Sequence, residues 1–386
     1  MMIQCTKALL EKLGIKGDEL VTPEGHEHFP NSFMAWHANF VSINRRKAII
    51  LMNNETRYPV VIYRPVKKDF SNARGLILEA ITEVLRIEGV SQTIINAYIH
   101  KAGEISFSKT ANRSMVAKLN NTVREIEFMS EYLNEDTKIQ KYISLLAGRQ
   151  IQKINDSDEY GYPVEKMLNC LGAVYELDND KCIPVLDHER YQLKIQIDLG
   201  SHDVWRRVTV PSTFSFRHLH NIIQTVFDWQ NYHLHEFTVD MEGNKPIKII
   251  MDDHPETLEF LDHGEFDILQ ERFVSLEEIF SKHNKVIYEY DFGDSWYHHI
   301  TLEKTERSHD FRATYLDGNG ERPPEDVGGL FGYEEYLEVI VNENDPRNKE
   351  MMIWAESQKE RKLNSEQINN RLTRVFHKYY YSPHFI

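Results

Sequence analysis

Between Tyr288 and Tyr333 the chain gathers the groups that chemistry needs. Tyr288-Glu289-Tyr290-Asp291-Phe292-Gly293-Asp294-Ser295-Trp296-Tyr297-His298-His299 comes first, and Arg322-Pro323-Pro324-Glu325-Asp326-Val327-Gly328-Gly329 follows. Asp291, Asp294, His299, Glu303, Glu325 and Asp326 offer carboxylate oxygens and an imidazole nitrogen, a donor set for Mg2+, Mn2+ or Zn2+. A water held on such a divalent metal would be the nucleophile of a hydrolase or nuclease. Arg206 would then steady a phosphate or a developing charge. The same residues also have a structural use. Asp291 and Asp294 can pin the glycine turn, Trp296 can fill the core, and Arg206 can pair with Asp291 or Glu325. The Pro-Pro-Glu-Asp loop can be held by turn amides that donate to its acids. Ion networks perturb acids without any catalysis, so a binding or adaptor module is the first reading and a metal-dependent hydrolase the second.

Two histidine pairs invite a metal of their own. His233 and His235 are two residues apart and would share one face of a strand. His26 and His28 flank Glu27 in a polar loop without a further ligand nearby. Other chemistries lack their motifs. There is no GxSxG and no cysteine beside a motif histidine, and no phosphate-binding loop or dinucleotide glycine signature.

The positioning elements can be read from periodicity. Residues 3–13 read as a strand and then a helix. Trp36–Ile43, Ala48–Met52 and Pro59–Tyr63 read as an antiparallel meander with a basic first turn, Asn44-Arg45-Arg46-Lys47. Leu76 to Ile87 spaces its apolar residues on one helical face, ended by Gly89. Ile94–Ile99 reads as another strand, and Met115 to Ile126 as a helix. Residues 151–187 are polar and turn-rich and read as a linker, with a short helix at Val164–Leu171. Beyond it, Tyr191–Leu199 and Val204–Val210 form a hairpin, and Phe216–Phe227 a helix capped by Ser212 or Thr213. His233–Phe237 and Ile247–Met251 read as strands. Val274–Phe280 is a short helix with a Ser275/Glu278 capping box. Val286–Asp291 and Trp296–Lys304 are strands around the Asp-Phe-Gly-Asp turn. Three helices end the chain at 333–340, 349–356 and 365–378, the last with Ile368, Leu372, Val375 and Phe376 on one stripe. The expected fold is α+β in two domains, 1–150 and 188–378, each a mostly antiparallel sheet packed with helices, with a tail at 379–386.

Bulk composition agrees. With 386 residues, 41% hydrophobic and 27% charged, the chain is too long for one ordinary core. No apolar run approaches membrane-spanning length, and the N-terminus lacks a signal-peptide pattern. Cys5, Cys170 and Cys182 lack zinc-site spacing and read as reduced thiols of a cytoplasmic protein. The net charge of −15 is uneven: residues 1–155 carry 21 basic and 16 acidic side chains, the remainder 24 and 44. Any nucleic acid would therefore meet the N-terminal half; a protein partner is the other expectation, and no membrane is implied. His37, Asn39, Arg45, Arg46, Lys47, Asn112 and Arg113 are polar, stand at element ends, and could converge on one anion.

The motifs also carry family resemblance. Ile3-Gln4-Cys5-Thr6-Lys7, Trp36-His37-Ala38-Asn39, Ile43-Asn44-Arg45-Arg46-Lys47 and Lys109-Thr110-Ala111-Asn112-Arg113-Ser114 resemble an uncharacterised bacterial domain family over residues 1–130, which brings no activity with it. The second half carries Val204-Trp205-Arg206-Arg207, Trp229, His235, the Tyr290–His299 stretch, Pro323–Gly329, Gly332-Tyr333, Trp354 and Ile368-Asn369…Arg371-Leu372. It resembles the plasmid pRiA4b ORF-3-like family of mobile-element passenger proteins over residues 188–376. That resemblance implies an α+β fold. Members often place a cysteine and small residues before the double proline, where this chain has Gly320-Glu321-Arg322, so no thiol role carries over.

Overall fold

The computed structural model of the chain describes residues 1–21, 32–110, 112–153, 160–176, 183–241, 245–251 and 265–378. The expectations at His26 and His28, at Cys182 and at the 379–386 tail lie outside these residues, as do the side chains of Val375 and Phe376. Contacts divide the chain into two units, Met1–Asp187 and His188–Ile386.

The first unit is built on a five-stranded sheet: β1 (Met2–Cys5), β2 (Ala35–Ile43), β3 (Arg46–Asn53), β4 (Pro59–Tyr63) and β5 (Ser106–Lys109), in the order β4-β3-β2-β1-β5. The meander β2-β3-β4 is antiparallel, as its alternation demands, whereas β1 runs parallel to both β2 and β5. The β2–β3 turn places Asn44 (φ 46°) and Arg45 (φ 62°) in the left-handed region, the two-residue turn whose twist matches the flanking strands. Helices α1 (Lys7–Leu13), α2 (Lys67–Ser71), α3 (Ala73–Ile87), α4 (Gln92–Ala102), α5 (Arg113–Phe128), α6 (Lys141–Gly148) and α7 (Pro163–Glu176) surround it, with a two-residue ladder of β6 (Gln152–Lys153) and β7 (Tyr160–Gly161). Alternate residues Ile3, Cys5, Trp36, Ala38, Ile49 and Leu51 join Ile77, Ile81, Leu85, Ile94 and Tyr98 in one core.

Two expectations change here. Ile94–Ile99 is not a strand but part of α4, because Ile94, Ile95, Tyr98 and Ala102 are buried at helical spacing; the β-branched run favours a strand only where no tertiary face opposes it. The segment read as a linker supplies α7, whose Val164, Met167, Leu171 and Val174 complete the first core. Residues 1–187 then carry 23 basic and 24 acidic side chains, so the excess of positive charge belongs to part of this unit only.

The second unit carries an eight-stranded sheet in the order β12-β11-β10-β13-β14-β8-β9-β15. Its strands are β8 (His188–Ile197), β9 (Trp205–Pro211), β10 (His235–Val239), β11 (Ile247–Ile250), β12 (Asp267–Gln270), β13 (Lys285–Tyr290), β14 (Trp296–Ser308) and β15 (Thr314–Asn319), antiparallel except for β11–β12. Its helices are α8 (Phe216–Val226), α9 (Leu276–Phe280), α10 (Gly329–Val341), α11 (Asn348–Gln358) and α12 (Ser365–Lys378). Phe216, Leu219, Ile222 and Ile223 of α8 lie on Ile195, Phe237, Tyr288 and Ile300 of the sheet, and Ala355, Ile368 and Leu372 of the last helices join the same core. The Ser275/Glu278 box forms as read. The cap of α8 is Ser215, not Ser212 or Thr213. The fold is α+β in both units.

One interaction in the first unit is expensive to break. Glu88, just past α3, and Arg149, just past α6, are 2% and 4% exposed and form a two-pronged ion pair, to which Tyr58 Oη adds a hydrogen bond of 2.5 Å. Removing one partner leaves the other charge buried, a loss of about 3–5 kcal/mol. Urea unfolding of Glu88→Ala is expected to show that loss, and Glu88→Met with Arg149→Met is expected to recover most of it.

Candidate metal centre

Three backbone segments bring the site together, each held by its own anchor. After α8 the chain turns through Asp228 (φ 55°) and Asn231 (φ 59°). The Asp228 carboxylate receives Arg361 and Arg371, and Asn231 Oδ1 lies 2.7 Å from His220 Nε2. These contacts deliver His233 just before β10. The second segment is the β13–β14 turn. Asp291 (φ 61°) donates its amide to Leu234 O at 2.9 Å, and its Oδ1 accepts from Gly293 N at 2.9 Å. The third is the double-proline loop. Arg322, buried over the Trp229 ring at 4.4 Å, donates to the carbonyls of Phe227, Asp228, Pro323 and Gln358. Asp294 Oδ2 accepts from Gly328 N at 3.1 Å, joining loop to turn. Gly329 has to be glycine there, with φ 66° and only 2.8 Å between a built Cβ and Asp294 O.

These anchors gather four groups. His233 Nε2 lies 3.0 Å from Asp326 Oδ1, 3.5 Å from Asp291 Oδ2 and 3.9 Å from Glu325 Oε2. The donor atoms of His233, Asp291 and Asp326 all lie within 4.8 Å of one another. Glu325 is fully buried. Its Oε1 accepts from Gln230 N at 2.6 Å, whereas Oε2 faces the imidazole with no hydrogen-bond partner. His233 Nε2, for all its near neighbours, makes no hydrogen bond either. Buried polar atoms are seldom left so. Asp326, at 48% side-chain exposure, opens the site to solvent. Asp291 and Asp326 both hold left-handed backbones, a conformation that costs energy and persists where surrounding contacts enforce it.

The electrostatics fit crowded negative charge. Burial pushes the Glu325 carboxyl up, against the pull of the Gln230 amide and the Arg322 guanidinium. Tyr232 is pushed up to about 12, first by burial and then by Glu325 and Asp326. Tyr290 moves up for the same reasons, burial first and Glu325 next. One imidazole nitrogen and two carboxylate oxygens within 4.8 Å of one another, with Glu325 Oε2 a further 3.9 Å from that nitrogen, can hold a divalent first-row cation.

The structure brings together only part of the expected set. Asp291, Glu325 and Asp326 all lie near one nitrogen of His233. His299 does not: it lies on the solvent face of β14, 54% exposed, with Asp198 at 3.8 Å. Strand alternation buries its neighbour His298 instead. His235 parts from His233 because β10 begins at His235, whose side chain enters the core. There its ring stacks on His220 at 3.5 Å and bonds Glu271 at 2.9 Å, so the two histidines share no cation. Arg206 pairs neither with Asp291 nor with Glu325; it grips Glu360 at 2.7 and 2.8 Å. Glu303 is bound by Arg207, and Asp294 ties loop to turn. Sequence reasoning missed Glu360 and Asp228, whose partners lie far along the chain and leave no spacing signal.

In the first unit the expected anion cluster separates. His37 is buried, its Nδ1 2.6 Å from Asn54 Oδ1, and burial lowers its pKa. Asn39 receives Thr6 Oγ1 at 2.7 Å. Asn112 caps α5 through the amides of Ser114 and Met115, with exposed Arg113 after it. Ile43 at the turn lies six residue steps beyond His37, about 20 Å of extended chain, so His37 and Arg45 cannot share one small anion.

Residues 189–371 match the family described as plasmid pRiA4b ORF-3-like protein, and residues 2–166 match a domain of unknown function, DUF6933. An uncharacterized protein, y4hQ, of Sinorhizobium fredii (strain NBRC 101917 / NGR234) is 33% identical over 172 residues, covering 43% of this chain and 80% of that protein. A crystal structure of a protein of unknown function, MM3350, from Methanosarcina mazei Go1 is 29% identical, covering 46% of this chain and 96% of that one, with a TM-score of 0.39. The chain belongs to the plasmid pRiA4b ORF-3-like family through its second unit. No helix among the described residues is long and apolar enough to cross a membrane.

The packing behind the site titrates. His298 is fully buried between the Trp296 carbonyl (2.9 Å) and Trp229 Nε1 (3.2 Å) and is lowered to about 3, chiefly by burial. Between its unfolded pKa of about 6.5 and its folded value, the unfolded chain binds more protons. Stability therefore falls as pH falls through that window, by roughly 1.4 kcal/mol per unit for this one group. Urea unfolding at pH 6, 5 and 4 is expected to fall at least that steeply, since burial also lowers His220 and His235, and His298→Gln, compared with its own value at pH 7, to lose about one proton of the slope.

Proposed function

We propose that the second unit is a divalent-cation-binding module whose ligands are His233 Nε2, Asp291 Oδ2, Asp326 Oδ1 and Glu325 Oε2. The observation that supports it most is Glu325, a buried carboxylate with one oxygen bonded to an amide and the other open toward an equally unbonded imidazole nitrogen. Without a cation, three carboxylates share one imidazole, an arrangement that burial makes costly. With a cation, every open atom gains a partner. The mix of one nitrogen and three oxygens favours Mn2+ or Zn2+ over Mg2+, which prefers oxygen and water.

A metal-dependent hydrolase asks for more. Its cationic partner was expected in Arg206, which is engaged by Glu360, and Arg322 is engaged by four carbonyls. Binding needs neither, and on that ground binding is the reading preferred here.

Equilibrium dialysis of the full chain against Mn2+ and Zn2+ tests the proposal. About one bound ion per chain is expected, with affinity reduced at least tenfold in Glu325→Gln and His233→Ala and unchanged in His299→Ala. Folding is checked by circular dichroism in each variant. A folded wild-type chain that retains neither ion would end this reading. Cleavage of a model phosphodiester by the Mn2+-loaded chain, lost in Glu325→Gln, would replace it with the hydrolase.

A further inference from the structure

The first unit carries a contiguous basic surface around the β2–β3 turn. Arg45, Arg46 and Lys47 are exposed at its tip. Lys47 Nζ lies 5.6 Å from the centroid of the Phe40 ring and Lys12 Nζ, from α1, 5.9 Å from the same centroid. Phe70 of α2 meets Phe40 edge-on at 5.7 Å, which places Lys67 and Lys68 on the helix alongside. The backbone agrees, since Arg64 N donates to Lys47 O at 2.8 Å. Lys47 donates to Ser42 Oγ. Among the described residues no carboxylate forms a close ion pair with Lys12, Arg45, Arg46, Lys47, Lys67 or Lys68, although the Asp69 carboxylate interacts with Lys68 at longer range. The one acid within α2, Asp69, is taken by Lys138 at 2.7 Å and by the Val66 amide. Six cations gathered with only one shared carboxylate nearby repel, and the arrangement is relieved by a polyanion.

The shape of the turn selects among polyanions. Arg46 and Lys47 are consecutive strand residues and so project from opposite faces of the ribbon. Lys47 shares the face of Ile49 and Phe40, whereas Arg46 shares that of Ala48 and Ile50. Arg45 crowns the end at φ 62°. A flat anionic surface would reach only one face. A duplex groove has phosphates on both walls and admits a two-stranded ribbon. We propose that this tip docks in a groove of double-stranded nucleic acid, with Arg45, Arg46 and Lys47 on the phosphates and Lys12, Lys67 and Lys68 along the flanking backbone. The first unit's charges nearly balance, but screening confines interactions to roughly 8–10 Å at ordinary salt, so the local patch decides.

The test is fluorescence anisotropy of a labelled 20-base-pair DNA duplex with the full chain across a salt series. Wild type is expected to bind at low salt with an affinity that falls linearly with log salt. Arg45→Ala with Arg46→Ala and Lys47→Ala is expected to weaken binding at least tenfold and to lower the salt slope by about 2–3, near 0.9 per lost phosphate contact. A matched control, Lys282→Ala with Lys285→Ala and Lys349→Ala, removes equal charge from the second unit and is expected to change affinity less than twofold. No binding at low salt would overturn the proposal. So would equal weakening by the control, or binding to phosphatidylserine vesicles without binding to the duplex.

Discussion

The second unit depends on a buried carboxylate. Glu325 is sealed from water, anchored by the Gln230 amide at one oxygen and left open at the other. Such a group is stable only if its surroundings supply positive charge or a proton. The neighbouring guanidinium of Arg322 acts at a distance, because its own donors go to backbone carbonyls. What remains is the open face toward His233, Asp291 and Asp326. Much of the surrounding structure can be understood as a frame that holds that face in register.

The frame draws on distant parts of the chain. Asp228 is fastened to the last helix by Arg371 and to the preceding loop by Arg361. Arg206 fastens β9 to Glu360, and Glu360 Oε2 also accepts the Arg322 amide at 3.0 Å. Thus Glu360 and Arg361, adjacent in sequence, hold the double-proline loop and the His233 segment at once. Networks of this kind resist piecemeal change, since each lost partner exposes a buried charge to poor solvation.

Periodicity made most elements of both units legible in the sequence. The β2–β3–β4 meander, α3, α5, α8 and the β13–β14 hairpin all formed where alternation or helical spacing put them. Ile94–Ile99 misled because a β-branched run was weighed without its partners, and the helical face of Ile94, Ile95 and Tyr98 faces a core the sequence alone does not display. The polar stretch before residue 188 misled because its loops outnumber its helix, yet α7 is what the first core needs. In the site, the acids were legible because glycine turns and paired prolines mark loops where carboxylates collect. His233 was legible as a metal ligand, but not as the acids' partner. Motif position put His299 with the acids, and strand parity paired His233 with His235. Only the turn at Asp228–Asn231 decides that His233 meets the acids while His235 enters the core.

Whether one ion lies among those four side chains decides the role of this face. Crystals of the full chain grown with Mn2+ and measured at the manganese edge would show it directly. One anomalous peak is expected within about 2.2 Å of His233 Nε2 and of carboxylate oxygens from Asp291, Glu325 and Asp326. A structure at the same Mn2+ concentration without that peak, with His233 hydrogen-bonded to Asp326 and Glu325 protonated, would contradict it.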